Sequence, residues 1–496
     1  MLTNSANLLR PRRFPVPVPR PPAPNPRVLL LALMASIALA QDDAKTVVAN
    51  TVKAMGAAGL RSVQYSGSGS NFALGQNAAP SLPWPRFNVK TYTRAIDYET
   101  VASREEMLRT QGENPPRGGG GQPLAGEQRL AQFVSGKHAW NLAGNNPAAA
   151  PAALAERLTQ IWLTPHGFLK AAQANTGTKV SSTSKSRAIS FTPPGGAEIS
   201  ATVNEQFLIT EIRMKFDNPV LGSMPVEAVY SGYKDFAGVM FPTRIVQRQG
   251  GSPTLELTIT DVRPNAPVQI EVPAAVRQAA APPPPRVETQ KLADGVFYLT
   301  GGSHHSVAVE FKDHVAVIEG PLNDERSRAV IAEVKKAIPN KPLKYLINTH
   351  HHFDHSGGLR AYVAEGSTIV THQVHKAFYE KVFATPKSKP RLLTVGDKRV
   401  LSDGARSLEL HVVKASPHHD GILMAYLPKE KLLVEVDVYT PAAPGAPAPA
   451  APNPVSVNLY DNIQRLKLDV AQIAALHGRL VPLAELEKAI GKPPSK

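Results

Sequence analysis

The chain has 496 residues, a formal net charge of +15, 42% apolar residues and no cysteine. Its length exceeds that of one ordinary domain and its apolar content is sufficient for buried cores, so we expect two domains. The lack of cysteine excludes disulfides, thiolate zinc sites and a lipid-anchor cysteine, and any metal ion must therefore be held by nitrogen and oxygen ligands.

The first 40 residues have the pattern of an export signal. Five arginines precede the apolar run VLLLALMASIALA at 28–40, and the first acidic residue is Asp42. The run is too short to span a bilayer comfortably, and it ends in Ala-Leu-Ala, which is typical of a signal-peptidase site. We predict that residues 1–40 are a signal peptide and that the mature protein is periplasmic or secreted. A membrane anchor is the alternative, and the Arg12-Arg13 pair leaves both twin-arginine and general secretion open.

The remaining lysines and arginines are scattered along the chain. The densest group extends from Lys381 to Arg399, and no aromatic residue interleaves with the charges at 387–399. This pattern favours a solvated face over a nucleic-acid footprint, so we expect no nucleic-acid partner.

Residues 41–273 predict an α+β domain built on an antiparallel sheet. Apolar residues recur with helical spacing at 42–55 and 154–163. Between 187 and 262 the period changes to two: in one strand Leu208 and Ile212 share a face, and in another Leu255, Leu257 and Ile259 do so. Such strands bury one face and expose the other.

Three further features of residues 41–273 lead to expectations about the loops, the histidines and the ligand of this domain. The stretch NPPRGGGGQP at 114–123 predicts a disordered loop. The isolated His138 and His166 are interpreted as structural histidines. The stretch YSGYKDFAGVMFPTRIVQRQGG followed by LELTITDVRPNAPV loosely resembles the curved half-barrels that carry lipoproteins in the bacterial envelope. That resemblance implies an envelope or lipid ligand for this domain.

The chain contains two proline-rich segments. AAVRQAAAPPPPR at 274–286 predicts a stiff polyproline spacer, because its four consecutive prolines lack backbone donors. It separates residues 41–273 from residues 287–496. The stretch TPAAPGAPAPAAPNP at 440–454 lies inside the second half and predicts a surface loop insertion.

The stretch NTHHHFDHSGG at 348–358 is the strongest candidate for a functional site. It follows the apolar run LKYLINT, which predicts a buried strand, and it leads into a predicted helix. His350 and His352 are two residues apart, so on an extended segment both rings point to the same side and can bind one ion. Asp354 and His355 follow the turn and can face a second ion. Imidazole and carboxylate ligands suit zinc and other borderline divalent metals.

His351 and Phe353 occupy the alternate positions of the motif. We expect their side chains to point away from the metals and to pack behind the site. The other histidines of this half, His314, His372, His375 and His411, are interpreted as structural, whereas His304 and His305 either reach the substrate or lie on the surface.

The spacing HxHxDH resembles the signature of the metallo-β-lactamase superfamily, and the resemblance extends over about residues 290–496. It implies an α/β domain with a four-layer αββα fold. By this resemblance His418 completes the first metal site with His350 and His352, with His419 as the alternative ligand. Asp437 would bridge the two metals, and His477 would complete the second site with Asp354 and His355. Glu319 stands where many members carry an aspartate beside the ligands.

The resemblance implies an exported hydrolase with two divalent metal ions, zinc being favoured. A metal-bridging hydroxide would attack an ester, lactone, amide or phosphoester of a small-molecule substrate, and Asp354 would move a proton to the leaving group.

Three other functions are weighed against this hydrolase. One alternative is a β-lactamase, although those with nitrogen and oxygen ligands usually lack an aspartate matching Asp437. Another is an envelope ligand-binding protein with a subsidiary metal domain. Diiron redox members resemble HxExDx, and His352 in place of the glutamate disfavours that function.

Overall fold

The computed structural model describes residues 45–182, 186–193, 196–384, 389–446 and 451–493. The predicted signal peptide lies outside this part of the chain. Among the described residues, no helix has both the length and the apolar character that a membrane span requires.

The N-terminal half is built on one antiparallel sheet of 13 strands. These are β1 (Ser62–Phe72), β2 (Arg86–Asp97), β3 (Ala102–Gln111), β4 (Gln128–Ser135), β5 (His138–Ala143), β6 (Asn146–Ala149), β7 (Lys179–Ser182), β8 (Arg187–Phe191), β9 (Ile199–Val203), β10 (Ile209–Asn218), β11 (Gly222–Phe236), β12 (Val239–Gln249) and β13 (Ser252–Pro264). Consecutive strands pair except β6 and β7, which form the two edges of the sheet. β1 also pairs with β13, which gives the order β6-β5-β4-β3-β2-β1-β13-β12-β11-β10-β9-β8-β7.

Helices pack on the apolar face of this sheet. They are α1 (45–54), α2 (Leu154–Trp162) and α3 (Pro165–Ala174), with a 3-10 turn at Pro151–Ala153 before α2. The helix α3 begins with proline, and the Thr164 hydroxyl caps it by accepting a 3.2 Å hydrogen bond from the Gly167 amide. Val52 and Phe168 lie in the same apolar core as the sheet residues.

The alternation predicted for the strands is present, with one shift. Leu255, Leu257 and Ile259 are buried as expected. In β10, however, Ile209 is buried beside Ile212 and Leu208 is only partly buried. The register of β10 against β9 shifts after Ile209, and such an irregularity adds a residue that moves the following side chains to the other face.

The C-terminal half contains two further sheets. The seven-stranded sheet has, in spatial order, β14 (Glu288–Ala293), β15 (Val296–Thr300), β16 (Ser306–Glu310), β17 (Val315–Ile318), β18 (Leu343–Ile347), β19 (Thr368–His372) and β20 (Leu392–Val395). The six-stranded sheet has β21 (Lys398–Ser402), β22 (Ser407–Val412), β23 (Leu423–Leu427), β24 (Leu432–Glu435), β25 (Gln472–Ala475) and β26 (Leu480–Pro482). The spacer contains the short helix α4 (Ala274–Arg277). The helices of the C-terminal half are α5 (Asp324–Ala337), α6 (Phe353–Ser356), α7 (Leu359–Ala364), α8 (Lys376–Val382), α9 (Pro454–Leu466) and α10 (Leu483–Ala489), with a 3-10 turn at Gln373–His375.

Alternating side chains of β17 hold the layers together. Ala316 and Ile318 pack into the core between the two sheets, where helices α9 and α10 cover the far side. Val315 and Val317 point the other way, into a core shared with α5, α7 and α8. The order helix, sheet, sheet, helix is the four-layer αββα arrangement, and the predicted fold class is confirmed.

The predicted spacer begins with structure of its own. Residues 274–277 form α4, and Val276 is buried. Pro282, Pro283 and Pro284 are exposed. The division of the chain at 274–286 stays a prediction, since the two halves also contact each other around the histidine cluster.

Candidate metal centre

A buried asparagine shapes the loop that carries the histidine motif. Strand β18 ends at Ile347, and the side chain of Asn348 donates hydrogen bonds to the carbonyl oxygens of His350 (2.8 Å) and His355 (3.2 Å). The hydroxyl of Tyr379 donates to Asn348 Oδ1 at 2.5 Å. The loop therefore folds back on itself at the end of a central strand, and its side chains converge.

The first group of metal-ligand atoms comes from His350, His352, His418 and Asp437, which lie within 4.8 Å of one another. Three buried nitrogens of this group have no hydrogen-bond partner: His350 Nε2, His352 Nδ1 and His418 Nε2. Burial holds the pKa of His350 and His352 well below its ordinary value, so both rings are neutral. Buried lone pairs that converge without a donor fit a divalent cation.

A second group of ligand atoms comes from Asp354, His355 and His477, joined by His304. His477 Nδ1 donates to the Ser303 carbonyl oxygen at 3.1 Å, and its Nε2 faces His355 Nε2 at 3.2 Å. Burial opposes protonation of His355, but the carboxylates of Asp437 and Asp354 outweigh it and raise the pKa of His355. This part of the site thus favours a positive charge, which a metal ion would provide.

Glu319 orients the second group from behind. Its carboxylate is fully buried, accepts a 2.6 Å hydrogen bond from the Thr349 amide and lies 3.1 Å from His355 Nδ1. Because the carboxylate accepts a hydrogen bond from His355 Nδ1, the His355 Nε2 atom is left to face the site. Glu319 therefore contacts one of the predicted ligands.

Asp437 lies between the two groups. Its Oδ2 atom is 3.0 Å from His418 Nε2 and 3.0 Å from His355 Nε2, and its Oδ1 atom is 2.9 Å from His477 Nε2. Burial would raise the pKa of Asp437, but the neighbouring imidazoles of His355 and His418 hold it well below its usual range. Asp437 also has a φ of +60°, an unfavourable conformation for a residue with a side chain.

The buried carboxyl group of Glu435 fixes the turn that presents Asp437. It accepts hydrogen bonds from the amides of Val438 (3.3 Å) and Tyr439 (3.0 Å). These contacts hold the backbone in the conformation that aims one carboxylate at both groups.

His351 and His419 belong to a separate, third group with His375. The amide of Asn77 donates to the carbonyls of Ala79 (2.6 Å) and Leu82 (3.0 Å), so its Oδ1 accepts from His351 Nε2 at 3.0 Å. His351 Nδ1 then accepts from His419 Nε2 at 2.7 Å. Neutral rings in this chain of hydrogen bonds support the motif from behind, and the structure places His418 rather than His419 beside Asp437.

The two remaining candidates, His304 and His305, lie at the tip of the hairpin between β15 and β16 and make different contacts. His304 Nε2 lies 3.4 Å from Asp354 Oδ2 and is part of the second group. His305 is buried and bonds to the Tyr298 hydroxyl (2.7 Å) and the Gly302 carbonyl (2.9 Å). His304 is therefore the one that faces the site, whereas His305 holds the hairpin.

The N-terminal half supplies residues to the site that the sequence did not indicate. Gln76 Nε2 donates a 2.7 Å hydrogen bond to Asp354 Oδ1, and the Asn77 carbonyl oxygen accepts from His352 Nε2 at 2.9 Å. The second contact places the proton of His352 on Nε2 and leaves its Nδ1 lone pair for a metal. No local pattern around 73–79 distinguishes these residues, because their role depends on contacts with a segment almost 280 positions away.

The expectation of disorder at 114–123 was wrong. Gly118 and Gly119 are buried, and their amides donate to the carbonyls of Pro417 (3.2 Å) and Gln76 (2.9 Å). A Cβ atom on Gly119 would lie 3.0 Å from His352 Cε1 and 2.0 Å from Gln76 Oε1. The glycines that suggested a flexible loop allow the backbone to approach the site closely.

A cavity of about 780 Å³ opens over the two groups. Asp354, Asp437, His418 and His477 form its floor, and loops 73–76 and 119–122 form a wall from the N-terminal half. Its size suits a small-molecule ligand. All seven residues predicted as ligands are brought together in and beneath this cavity, and their role as metal ligands stays a prediction.

The sequence profile of the metallo-beta-lactamase superfamily matches residues 299–456. The 2,4-dinitroanisole O-demethylase subunit alpha of Nocardioides sp. (strain JS1661) is 23% identical over 155 residues, which cover 31% of this chain and 46% of that relative. The chain thus matches less than half the length of this relative.

Solved structures match the same half of the chain. A metallo-beta-lactamase from Pontibacter korlensis matches with 19% identity and a TM-score of 0.34, covering 41% of this chain and 96% of its own. The rubredoxin oxygen:oxidoreductase of Desulfovibrio gigas matches with 17% identity and a TM-score of 0.34, covering 41% of this chain and 61% of its own.

The C-terminal region of this chain belongs to the metallo-β-lactamase superfamily. The predicted resemblance is confirmed for this region. The match supports a metal-dependent enzyme, and the clusters of histidine and aspartate fit metal binding.

Proposed function

We propose that this chain is an exported hydrolase that uses two divalent metal ions, zinc being favoured, on a small-molecule ester, lactone, amide or phosphoester. The observation that carries the proposal is the position of the Asp437 carboxylate, with one oxygen toward His418 and the other toward His477. A carboxylate in that position suits two cations side by side better than one.

Seven residues would hold the two metal ions. His350, His352 and His418 would hold one ion, Asp354, His355 and His477 the other, and Asp437 both. Such ions lower the pKa of water toward neutrality and stabilise negative charge on a substrate oxygen.

Asp354 is suited to carry a proton to the leaving group. The neighbouring His355 ring and the hydrogen bond from His304 outweigh the effect of burial and hold the pKa of Asp354 below its usual range. Its carboxylate is therefore ionised, and Gln76 fixes its orientation from one side.

Metal analysis combined with a substrate panel tests this proposal. Purified protein is loaded with zinc, manganese or iron, and each form is assayed on an ester, a lactone, a β-lactam, an amide and a phosphodiester. We also include 2,4-dinitroanisole, because its demethylase is a relative over part of the chain. Hydrolysis that requires two metals per chain supports the proposal. Full metal occupancy without turnover on any substrate contradicts it, and dioxygen consumption would indicate the redox alternative.

The export part of the proposal is supported by the sequence of residues 1–40 alone. N-terminal sequencing of protein purified from the cell envelope or the medium should find Gln41 as the first residue. Retention of residues 1–40 on purified protein contradicts this part without affecting the metal site.

A second candidate function belongs to the N-terminal half, where we propose an envelope or lipid ligand. A pocket of about 530 Å³ lies between the helices and the sheet and is lined by Tyr98, Val101, Ile161, Trp162 and Phe191 among others. Native mass spectrometry of protein purified without detergent should retain a lipid, and Trp162→Glu should release it. Protein that carries no lipid and does not take up fatty acid contradicts this function.

A further inference from the structure

Arg109 lies at the end of β3 and lines the same cavity as the metal-ligand residues. Among the described residues that line this cavity it is the one cation. Its neighbours on the wall, Gln76 and Gln122, are neutral. The N-terminal sheet thus places a single arginine in the wall of the same cavity as the proposed metal ligands.

The guanidinium of Arg109 is held rigidly. Its central carbon lies 3.9 Å from the centre of the Phe87 ring, and its Nε donates a 2.7 Å hydrogen bond to Gln128 Oε1. Stacking on an aromatic ring and one fixed hydrogen bond leave little rotational freedom, so the two terminal nitrogens keep a constant direction. These two nitrogens form the fork that binds carboxylates in two parallel hydrogen bonds.

No carboxylate of the described part of the chain pairs with Arg109. Partial burial lowers the pKa of Arg109 from its ordinary value, since no nearby anion offsets the loss of water. Arg94 on the neighbouring strand β2 shows the contrast: burial opposes its charge too, but tyrosines and Glu105 raise its pKa. The charge of Arg109 is therefore left available to a ligand in the cavity.

We propose that Arg109 is a substrate-recognition residue that binds a monoanionic group, such as a carboxylate, on the substrate of the metal centre. One guanidinium in an otherwise neutral wall matches one negative charge, which favours a monoanion over a doubly charged phosphate. The proposal rests on the proposed hydrolase function and adds a substrate class to it. It also gives the N-terminal sheet a direct part in substrate selection.

Two aryl esters with the same leaving group test the proposal on the metal-loaded full-length protein. They are mono-4-nitrophenyl succinate, which is anionic, and its methyl ester, which is neutral. Wild type should prefer the anionic ester. Arg109→Gln should raise KM for the anionic ester by roughly 10- to 100-fold, as expected for loss of a charged hydrogen bond, and leave the neutral ester unchanged. Arg109→Lys should recover part of the loss.

Arg129→Gln is the matched control, because Arg129 lies on the adjacent strand β4 with its side chain 67% exposed and pairs with Glu106 instead. It should change neither ester. An equal effect of Arg109→Gln on both esters, or no effect on either, overturns the proposal.

Binding of monomethyl succinate, a monoanion, measured by calorimetry, separates this proposal from the hydrolase function. If neither ester is hydrolysed but Arg109→Gln weakens binding of monomethyl succinate at least tenfold and Arg129→Gln does not, the hydrolase function fails and the anion site is retained. Monomethyl succinate that does not bind wild type, or that binds Arg109→Gln equally well, overturns the anion site.

Discussion

The side chain of Gln76 donates a 2.7 Å hydrogen bond to Asp354 Oδ1, and so a residue of the N-terminal half positions a residue of the metal centre. The Asn77 backbone continues this contact to His352. The two halves of the chain therefore build the site together. Removal of residues 41–273 would disturb the metal centre directly, so single substitutions separate the roles of the halves better than truncation does.

Gln76→Ala should lower kcat by about 10- to 100-fold, the amount expected for loss of a hydrogen bond to a charged group. Metal content should stay unchanged, because Gln76 contacts Oδ1 of Asp354, whereas Oδ2 is the oxygen that faces His355. Steady-state kinetics and metal analysis of the same preparation check this prediction. Gln290→Ala, at an exposed position of β14, is the control. Loss of metal in Gln76→Ala would contradict the assigned role.

Gly119→Ala should reproduce much of the effect of Gln76→Ala. The new Cβ atom would displace the Gln76 side chain, whose Oε1 lies 2.0 Å from its position. Because both changes break the contact between Gln76 and Asp354, adding Gln76→Ala to Gly119→Ala should lower kcat no further, and a double-mutant cycle on kcat measures this coupling. Gly59→Ala, where nothing lies within 4 Å, is the control. Additive losses would contradict a shared contact.

The convergence of the motif from His350 to His355 was predictable, because its candidate ligands lie within six residues and strand periodicity sets their direction. Asp437 and His477 could be assigned only through the family resemblance, since each stands alone in its segment. Gln76 and Gly119 could not be predicted at all: a glutamine and a glycine carry no local signal, and a glycine-rich stretch suggests disorder unless its packing is known. The shift after Ile209 was missed because a bulge leaves the composition of a strand unchanged.

Acid should destabilise the N-terminal half through His166. This fully buried ring has its pKa lowered by burial to about 4, and its Nε2 lies 3.1 Å from the Met55 carbonyl oxygen. The unfolded chain takes up a proton near pH 6.5 and the folded chain only near pH 4, so stability is lost as the pH falls between these values. The loss should reach about 2 kcal/mol at pH 5. Urea unfolding of wild type and His166→Gln at pH 7.5 and pH 5 checks this prediction, and an equal loss in both proteins would contradict it.

Chelation should distinguish the motif's ligands from its supporting residues. Metal that binds only the folded protein stabilises it by about 4 kcal/mol at a thousandfold excess over Kd, so EDTA should lower the melting temperature of wild type. The shift should be much smaller in His352→Ala, which lacks a proposed ligand.

His351→Ala is the control for the chelation experiment. It loses the contacts to Asn77 and His419, so it should melt lower than wild type with and without EDTA, yet it should keep its metal and the full chelation shift. Full metal in His352→Ala with depleted metal in His351→Ala would mean that the register of the motif is wrong.

Metal stoichiometry of Asp437→Asn tests the central claim most directly, namely that one carboxylate serves two metal ions. Wild type equilibrated with zinc and dialysed should contain two ions per chain. Asp437→Asn should retain at most one, because the amide provides less negative charge between two cations and can no longer offer an anionic oxygen to each. Asp294→Asn, at an almost fully exposed position, should retain two. One ion per chain in wild type, or two in Asp437→Asn, would contradict the shared-carboxylate site.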